Sequence, residues 1–198
     1  MTFADQPVEG FLDDVASTNV APSAGAVTAI TGAMAGSLCE MVCIHTPDAE
    51  TSPRLATARA DLAERRDQLL DLADADAAVI DAVGTAFEDE TDAEDRQAAL
   101  ARATEVPLRI AEAAADVAER AVVVAEDGTT NARTDAVVGA HLARAATAAA
   151  AVIVRTNLDL WPDLEAADSR LDDARTRLEA AERDAAAAVS RLTESRNE

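Results

Sequence analysis

Five aspartates, Asp67, Asp71, Asp74, Asp76 and Asp81, fall in a stretch that follows Leu55 and Leu62 and contains Leu69, the three leucines at seven-residue intervals. That spacing reads as a helix. At the helical turn per residue, Leu69, Leu72, Ile80, Val83 and Phe87 lie within about 60° of one direction, and Asp76 lies among them. The other four aspartates point away, as solvated acids do. A carboxylate on an apolar stripe is costly unless it is hydrogen-bonded or paired. Asp76 is therefore either a structural acid bound to a neighbouring helix, or wetted at the bundle edge, or a general acid/base whose pKa burial raises toward neutrality.

A second polar group gathers at the start of a later helix. Asn131, Thr134, Leu142, Ala145, Val152 and Thr156 share a face with Val138, and Asp135 sits at its edge. Free amide donors of a helix start would accompany Asn131, Thr134 and Asp135, so these residues form either a capped start or a ligand site. Cys39, Cys43 and His45 approach metal-ligand spacing, but with no fourth ligand in an apolar run the cysteines read as reduced core thiols, and no metal is expected. His141 is isolated and the serines have no evident His partner, so no nucleophilic triad is expected. Gly32 and Gly36 read as close helix packing, not as a phosphate loop.

The elements that must position these groups are helical. Among the 198 residues, 49% are hydrophobic but only 2% aromatic, with few Gly and Pro, which excludes an all-β fold. The expected fold is all-α, one domain over residues 1–198, an elongated up-and-down bundle of about five long helices after a short leader, Val8 to Ser17. The first long helix, Ser23 to His45, is apolar on every side, which predicts a central place in the bundle or burial in a dimer. Ser52-Pro53 starts the second, which runs to Phe87; Thr91 to Glu94 is a capping box for the third. Pro107 predicts a kink in that helix and Gly128 its end. The fourth spans Asn131 to Leu160, and Trp161-Pro162 precedes the last, to Thr193.

Acidic residues number 38 against 17 basic ones, all arginine, for a net charge of −21. Such a surface suits multimolar salt and argues against nucleic acid or an anionic membrane as partner. No run reaches the ~18 uninterrupted apolar residues of a membrane span, and the N-terminus lacks a basic secretory region. A cytoplasmic location is expected.

Four segments in order bear a further likeness. Phe11-Leu-Asp-Asp-Val-Ala-Ser17 with the turn to Pro22 and the apolar helix to Met41-Val42, then Leu72-Ala-Asp-Ala-Asp-Ala-Ala78, then Glu105-Val-Pro-Leu-Arg-Ile-Ala-Glu112, then Asn131-Ala-Arg-Thr-Asp135 running on to Val154-Arg-Thr-Asn-Leu158 resemble the cyclodeaminase/cyclohydrolase family of folate enzymes. The resemblance spans nearly the whole chain. It implies a dimerising helical bundle, a tetrahydrofolate derivative as substrate, and an acid/base carboxylate in the Asp-x-Asp-Ala segment, matching Asp76, with Asp74 as the alternative. It implies substrate-binding roles for Pro22, Ser23, Gly25, Asn131, Thr134, Asp135 and Asn157. The family's glycine-rich turn keeps only Pro22 and Gly25 here; Ile80 replaces a usual Phe and Ile153 a usual Asn. The expected reaction is hydrolysis of 5,10-methenyltetrahydrofolate to 10-formyltetrahydrofolate. The alternatives are formimidoyltetrahydrofolate cyclodeamination and a non-catalytic bundle. Arg109, Arg144 and Arg155 are the candidates to meet the glutamate tail of a folate.

Overall fold

The ends of the helices follow the local chemistry. Ser52 Oγ accepts from Leu55 N at 3.5 Å, with Pro53 at the first helical position, where its missing N–H costs nothing. At the far end of the next helix, Gly128 N bonds Val124 O at 2.9 Å and terminates it as the sequence predicts. Thr46 closes the apolar helix by donating to Val42 O at 2.7 Å, and its hydroxyl in turn accepts from Thr129 N at 2.9 Å.

The computed structural model describes residues 2–47, 52–86, 93–160 and 169–194, and among these the chain is entirely helices and their connections. A 3-10 turn, Phe3–Asp5, leads into α1, Val8–Val15. The long helices are α2, Ala24–His45; α3, Pro53–Ala86; α4, Ala93–Asp127; α5, Arg133–Leu160; and α6, Ser169–Glu194. A second 3-10 turn, Thr130–Ala132, precedes α5. The expected helix end at Phe87, the Thr91 half of the capping box and the Trp161-Pro162 break lie outside the described residues. Pro107 sits inside α4, which continues through it.

Successive helices run in opposite directions. The start of α2 lies beside Asp76 of α3, and the end of α2 lies beside Thr129 at the start of the α5 region. Helix α4 touches α2, α3, α5 and α6, so α4 occupies the centre. This corrects the expected central place of α2. Its apolar surface meets α3, α4 and α5, while Val27, Met34 and Ile44 remain exposed on its outer side. Helices α2 and α5 form one layer over α3, α4 and α6. They approach closely: a Cβ on Gly139 of α5 would lie 2.4 Å from Cys39 Sγ of α2.

The interior is built largely of alanine, with Leu62, Leu69, Leu108, Ile110 and Leu192 as its largest fully buried side chains. Small side chains let helix axes come near, so the buried area is spread over many contacts. Arginines tie the layers at the surface: Arg177 of α6 holds Glu112 of α4 at 2.7 Å, and Arg66 of α3 holds Glu40 of α2 at 2.6 Å. By length and mean hydropathy, α2 and the stretch 130–159 are apolar enough to cross a membrane; in the bundle about half of each is buried against other helices.

Candidate active site

Asp76 is turned inward, as periodicity predicts, and is only 7% exposed. Its Oδ2 accepts from Ser23 Oγ at 3.1 Å and from the backbone N–H of Ala26 at 3.0 Å. Ser23 holds the N-cap position of α2 but makes no capping bond with its own side chain. The carboxylate of α3 takes over that task across some fifty residues of sequence, satisfying a free amide at a helix start whose dipole favours negative charge.

The two oxygens of Asp76 have different surroundings. Both described hydrogen bonds go to Oδ2, while Oδ1 lies over the Cα of Gly25. A Cβ on Gly25 would fall 2.0 Å from Oδ1 and 2.3 Å from Cγ, so the carboxylate occupies the space any other residue would fill. Burial pushes the carboxyl above its ordinary range, opposed by the Ser23 and Ala26 hydrogen bonds.

Asp76 lines a cavity of about 380 Å³ in a gap between helices. Ser23 and Gly25 border it from the start of α2, and Asn157 from α5. The remaining wall is apolar: Val20, Val79, Ile80, Val83, Ile153 and Ala103. Asn157 Nδ2 donates to Ala103 O at 2.6 Å, which fixes the amide at the wall with Oδ1 as its remaining acceptor. The cavity exists because α2 starts level with Asp76, whereas α3 continues for ten residues beyond it. No helix fills the place that further turns of α2 would take. Ile80 and Val83, which the stripe pattern assigns to the packed core, consequently stand half-buried on the wall of this slot.

The structure brings together Ser23, Gly25, Asp76 and Asn157, with Pro22 buried next to them after a cis Ala21–Pro22 peptide. It does not bring Asp74 in. Asp74 Oδ1 accepts from Phe3 N at 2.9 Å and anchors the N-terminal turn on α3. Asn131, Thr134 and Asp135 lie at the opposite end of the bundle, with no side-chain hydrogen bond among the described residues. They therefore do not act as a capped start, and one copy of the chain holds them far from Asp76. None of the three arginines lines the slot. Arg155 pairs with Glu182, and Arg109 borders a separate groove with Glu64, Asp67 and Asp71. The apolar wall, Val20 and Val79 above all, was missed by the sequence reading. Its signal was the continuation of the stripe past Asp76. Cys39 and Cys43 are free and buried, with the Cys39 thiol pushed up to about 12 by burial. Among the described residues no three His, Cys, Asp or Glu side chains are grouped to hold a metal.

A carboxylate with one oxygen anchored and the other facing an apolar slot can take a proton and return it. It can also balance a positive charge on a flat ligand. Residues 7–176 match the Formiminotransferase-cyclodeaminase family. The chain belongs to that family. It is 32% identical over 181 residues to a protein of Methylorubrum extorquens named methenyltetrahydrofolate cyclohydrolase, covering 85% of this chain and 87% of that one. The crystal structure of formiminotetrahydrofolate cyclodeaminase from Thermotoga maritima has the same fold, with TM-score 0.78, 24% identity, and coverage of 96% of this chain and 98% of that one. Membership makes the helical bundle with a slot at the Asp76 end a member of a folate one-carbon enzyme family.

Proposed function

We propose that this family member hydrolyses 5,10-methenyltetrahydrofolate to 10-formyltetrahydrofolate in the Asp76 slot, working as a homodimer. The observation that carries the reading is a single buried carboxylate, anchored through Oδ2 and open at Oδ1, in an otherwise apolar slot. The substrate's amidinium cation suits that surrounding: apolar walls take the flat ring and the carboxylate balances its charge. The name of the Methylorubrum extorquens relative supports hydrolysis over deamination.

In this reading a water attacks the carbon between N5 and N10 and Asp76 Oδ1 accepts the proton it gives up. The neutral carbinolamine then collapses. The C–N5 bond breaks, the hydroxyl oxygen becomes the formyl oxygen, Asp76 returns its proton to N5, and the hydroxyl proton leaves to solvent. One water is consumed and one proton released. Ser23 and the Ala26 amide hold Oδ2, so the reacting oxygen is the one with no other partner.

The test follows the loss of methenyltetrahydrofolate absorbance in molar salt for the wild type and Asp76→Asn. Positioned acid/base groups contribute on the order of 10²–10⁴-fold, and a loss of that size is expected. Folded wild type with no acceleration over buffer would sink the hydrolase reading. An equally active Asp76→Asn would sink the base. Ammonia release from formimidoyltetrahydrofolate, measured on the same samples, distinguishes the deaminase.

A further inference from the structure

At six of the seven glycines a Cβ would meet a neighbouring atom within 3.6 Å. Gly84 is the exception: no described residue comes within 4 Å of a Cβ placed there. Backbone geometry does not ask for glycine either, since no glycine of the chain has a positive φ. Gly84 lies inside α3, which runs through it to Ala86, and in a helix glycine is less favourable than alanine. Neither packing nor backbone conformation accounts for a glycine at this position.

What does distinguish Gly84 is its place on the wall of the Asp76 slot. Asp76, Ile80, Val83 and Gly84 succeed one another at the i, i+4, i+7 and i+8 positions of α3, along one face of the helix. Eight residues of helix carry Gly84 about 12 Å along the axis from Asp76. Asp76 is buried, Ile80 and Val83 are half-buried, and Gly84 is exposed. The α3 wall thus has a carboxylate at its inner end, aliphatic side chains along its middle and bare backbone at its outer end.

We infer that Gly84 is a substrate-selecting position: the bare backbone of α3 there receives the face of a second aromatic ring, the aminobenzoyl ring of a folate, whose carboxylate tail leaves past it to solvent. This role rests on the folate substrate class proposed above. It adds a requirement to that class, because a ligand made of the cationic ring system alone would leave the outer end of the wall bare.

The chemistry of the wall decides which arm of the substrate lies there. With the amidinium carbon at Asp76 Oδ1, the aminobenzoyl ring is attached directly at N10 and extends away from the reacting centre. Its tail carries carboxylates, which are costly against an apolar wall and are repelled by Asp76. They must therefore leave where the slot meets water, and the exposed end at Gly84 offers that exit. The pterin arm carries no such tail and can be enclosed. A glycine lets a flat ring approach the helix backbone more closely than any side chain would, and Ile153 of α5 adds apolar surface to the same slot.

The experiment pairs two substrates with two variants in molar salt. One substrate is 5,10-methenyltetrahydrofolate; the other is its analogue with a methyl group on N10 in place of the aminobenzoylglutamate arm. The KM of the full substrate, divided by the KM of the analogue (or its Ki as a competitor where it is not turned over), should rise about tenfold or more in Gly84→Leu and by less in Gly84→Ala. The kcat for the full substrate should change less than its KM. Chemical denaturation should give Gly84→Ala a midpoint at or above that of the wild type, so Gly84→Ala carries the test should Gly84→Leu fail to fold. Equal losses on the two substrates, an unchanged KM for the full one, or a lowered midpoint in Gly84→Ala would overturn the role of Gly84. Equilibrium dialysis of 10-formyltetrahydrofolate reads the same contact without turnover. A wild type that hydrolyses neither substrate yet binds this ligand, with the Kd raised about tenfold in Gly84→Leu, would remove the hydrolase reading and keep the ring site. A folded wild type that neither hydrolyses nor binds would overturn both.

Discussion

Replacing Gly25 by alanine tests the arrangement of the site more sharply than removing the carboxylate. A Cβ there would lie 2.0 Å from Asp76 Oδ1, 2.3 Å from Cγ and 2.6 Å from Oδ2, where real contacts essentially never fall below 3.0 Å. The carboxylate must therefore move by at least about 1 Å, and it cannot do so while keeping both Ser23 and Ala26. Overfilling a packed site costs about 1–3 kcal/mol. Alanine recovers up to about 1 kcal/mol over glycine in a helix, less in the first turn. A net loss of roughly 0–3 kcal/mol is expected from these two effects, measurable by chemical denaturation in molar salt. Activity should suffer more than stability, because misplacing a reacting group by 1 Å costs on the order of 10²-fold. The assay is kcat/KM for methenyltetrahydrofolate, with far-UV circular dichroism to confirm the helices. In an Asp76→Ala background the clash is gone, so Gly25→Ala should no longer destabilise. Wild-type kcat/KM in Gly25→Ala, or an equal stability cost in both backgrounds, would refute the reasoning.

Ser23→Ala removes a hydrogen bond that favours the charged form of Asp76, so the Asp76 pKa rises further. The acidic limb of the kcat/KM profile should move to higher pH, and an unmoved limb would separate Ser23 from the titrating group. Asp76→Asn should be at least as stable as the wild type near neutrality. The folded pKa of Asp76 lies above its ordinary value of 3.8, so folding disfavours its ionisation. That penalty is fully present above the raised pKa and disappears as pH falls toward the ordinary value. Denaturation of the two proteins across this window should show the advantage of Asp76→Asn shrinking with acid; an advantage that grows instead would contradict the sign.

The inward turn of Asp76 was legible because Leu55, Leu62, Leu69 and Leu72 of α3 set a buried stripe that runs on to it. Helix ends at Ser52-Pro53 and Gly128 were legible for the same local reason, each being decided by its own few residues. What periodicity does not carry is the relative height of two helices. The slot depends on α2 beginning level with Asp76, a matter of how α2 and α3 are set against each other, so Ile80 and Val83 read as core. The partner of Asp76 was hidden likewise, since one of its two donors is the backbone amide of Ala26, which has no signature in residue type. The evenly apolar character of α2 told that it packs on several sides but not which side is left uncovered. Asp74 was misplaced among solvated acids because its bond to Phe3 N joins distant parts of the chain.

The alanine interior gives this protein an unusual mutational profile. Where a leucine-built core is wounded by truncation, a buried alanine such as Ala35, Ala114 or Ala143 has only a methyl group to lose. It has a great deal to gain, and every added carbon pushes two helix backbones apart along their length. Sequence drift in such a bundle is held from above, by a ceiling on side-chain size, and a scan of all substitutions would find glycine, at about 1 kcal/mol each in a helix, less harmful to its interior than valine or leucine.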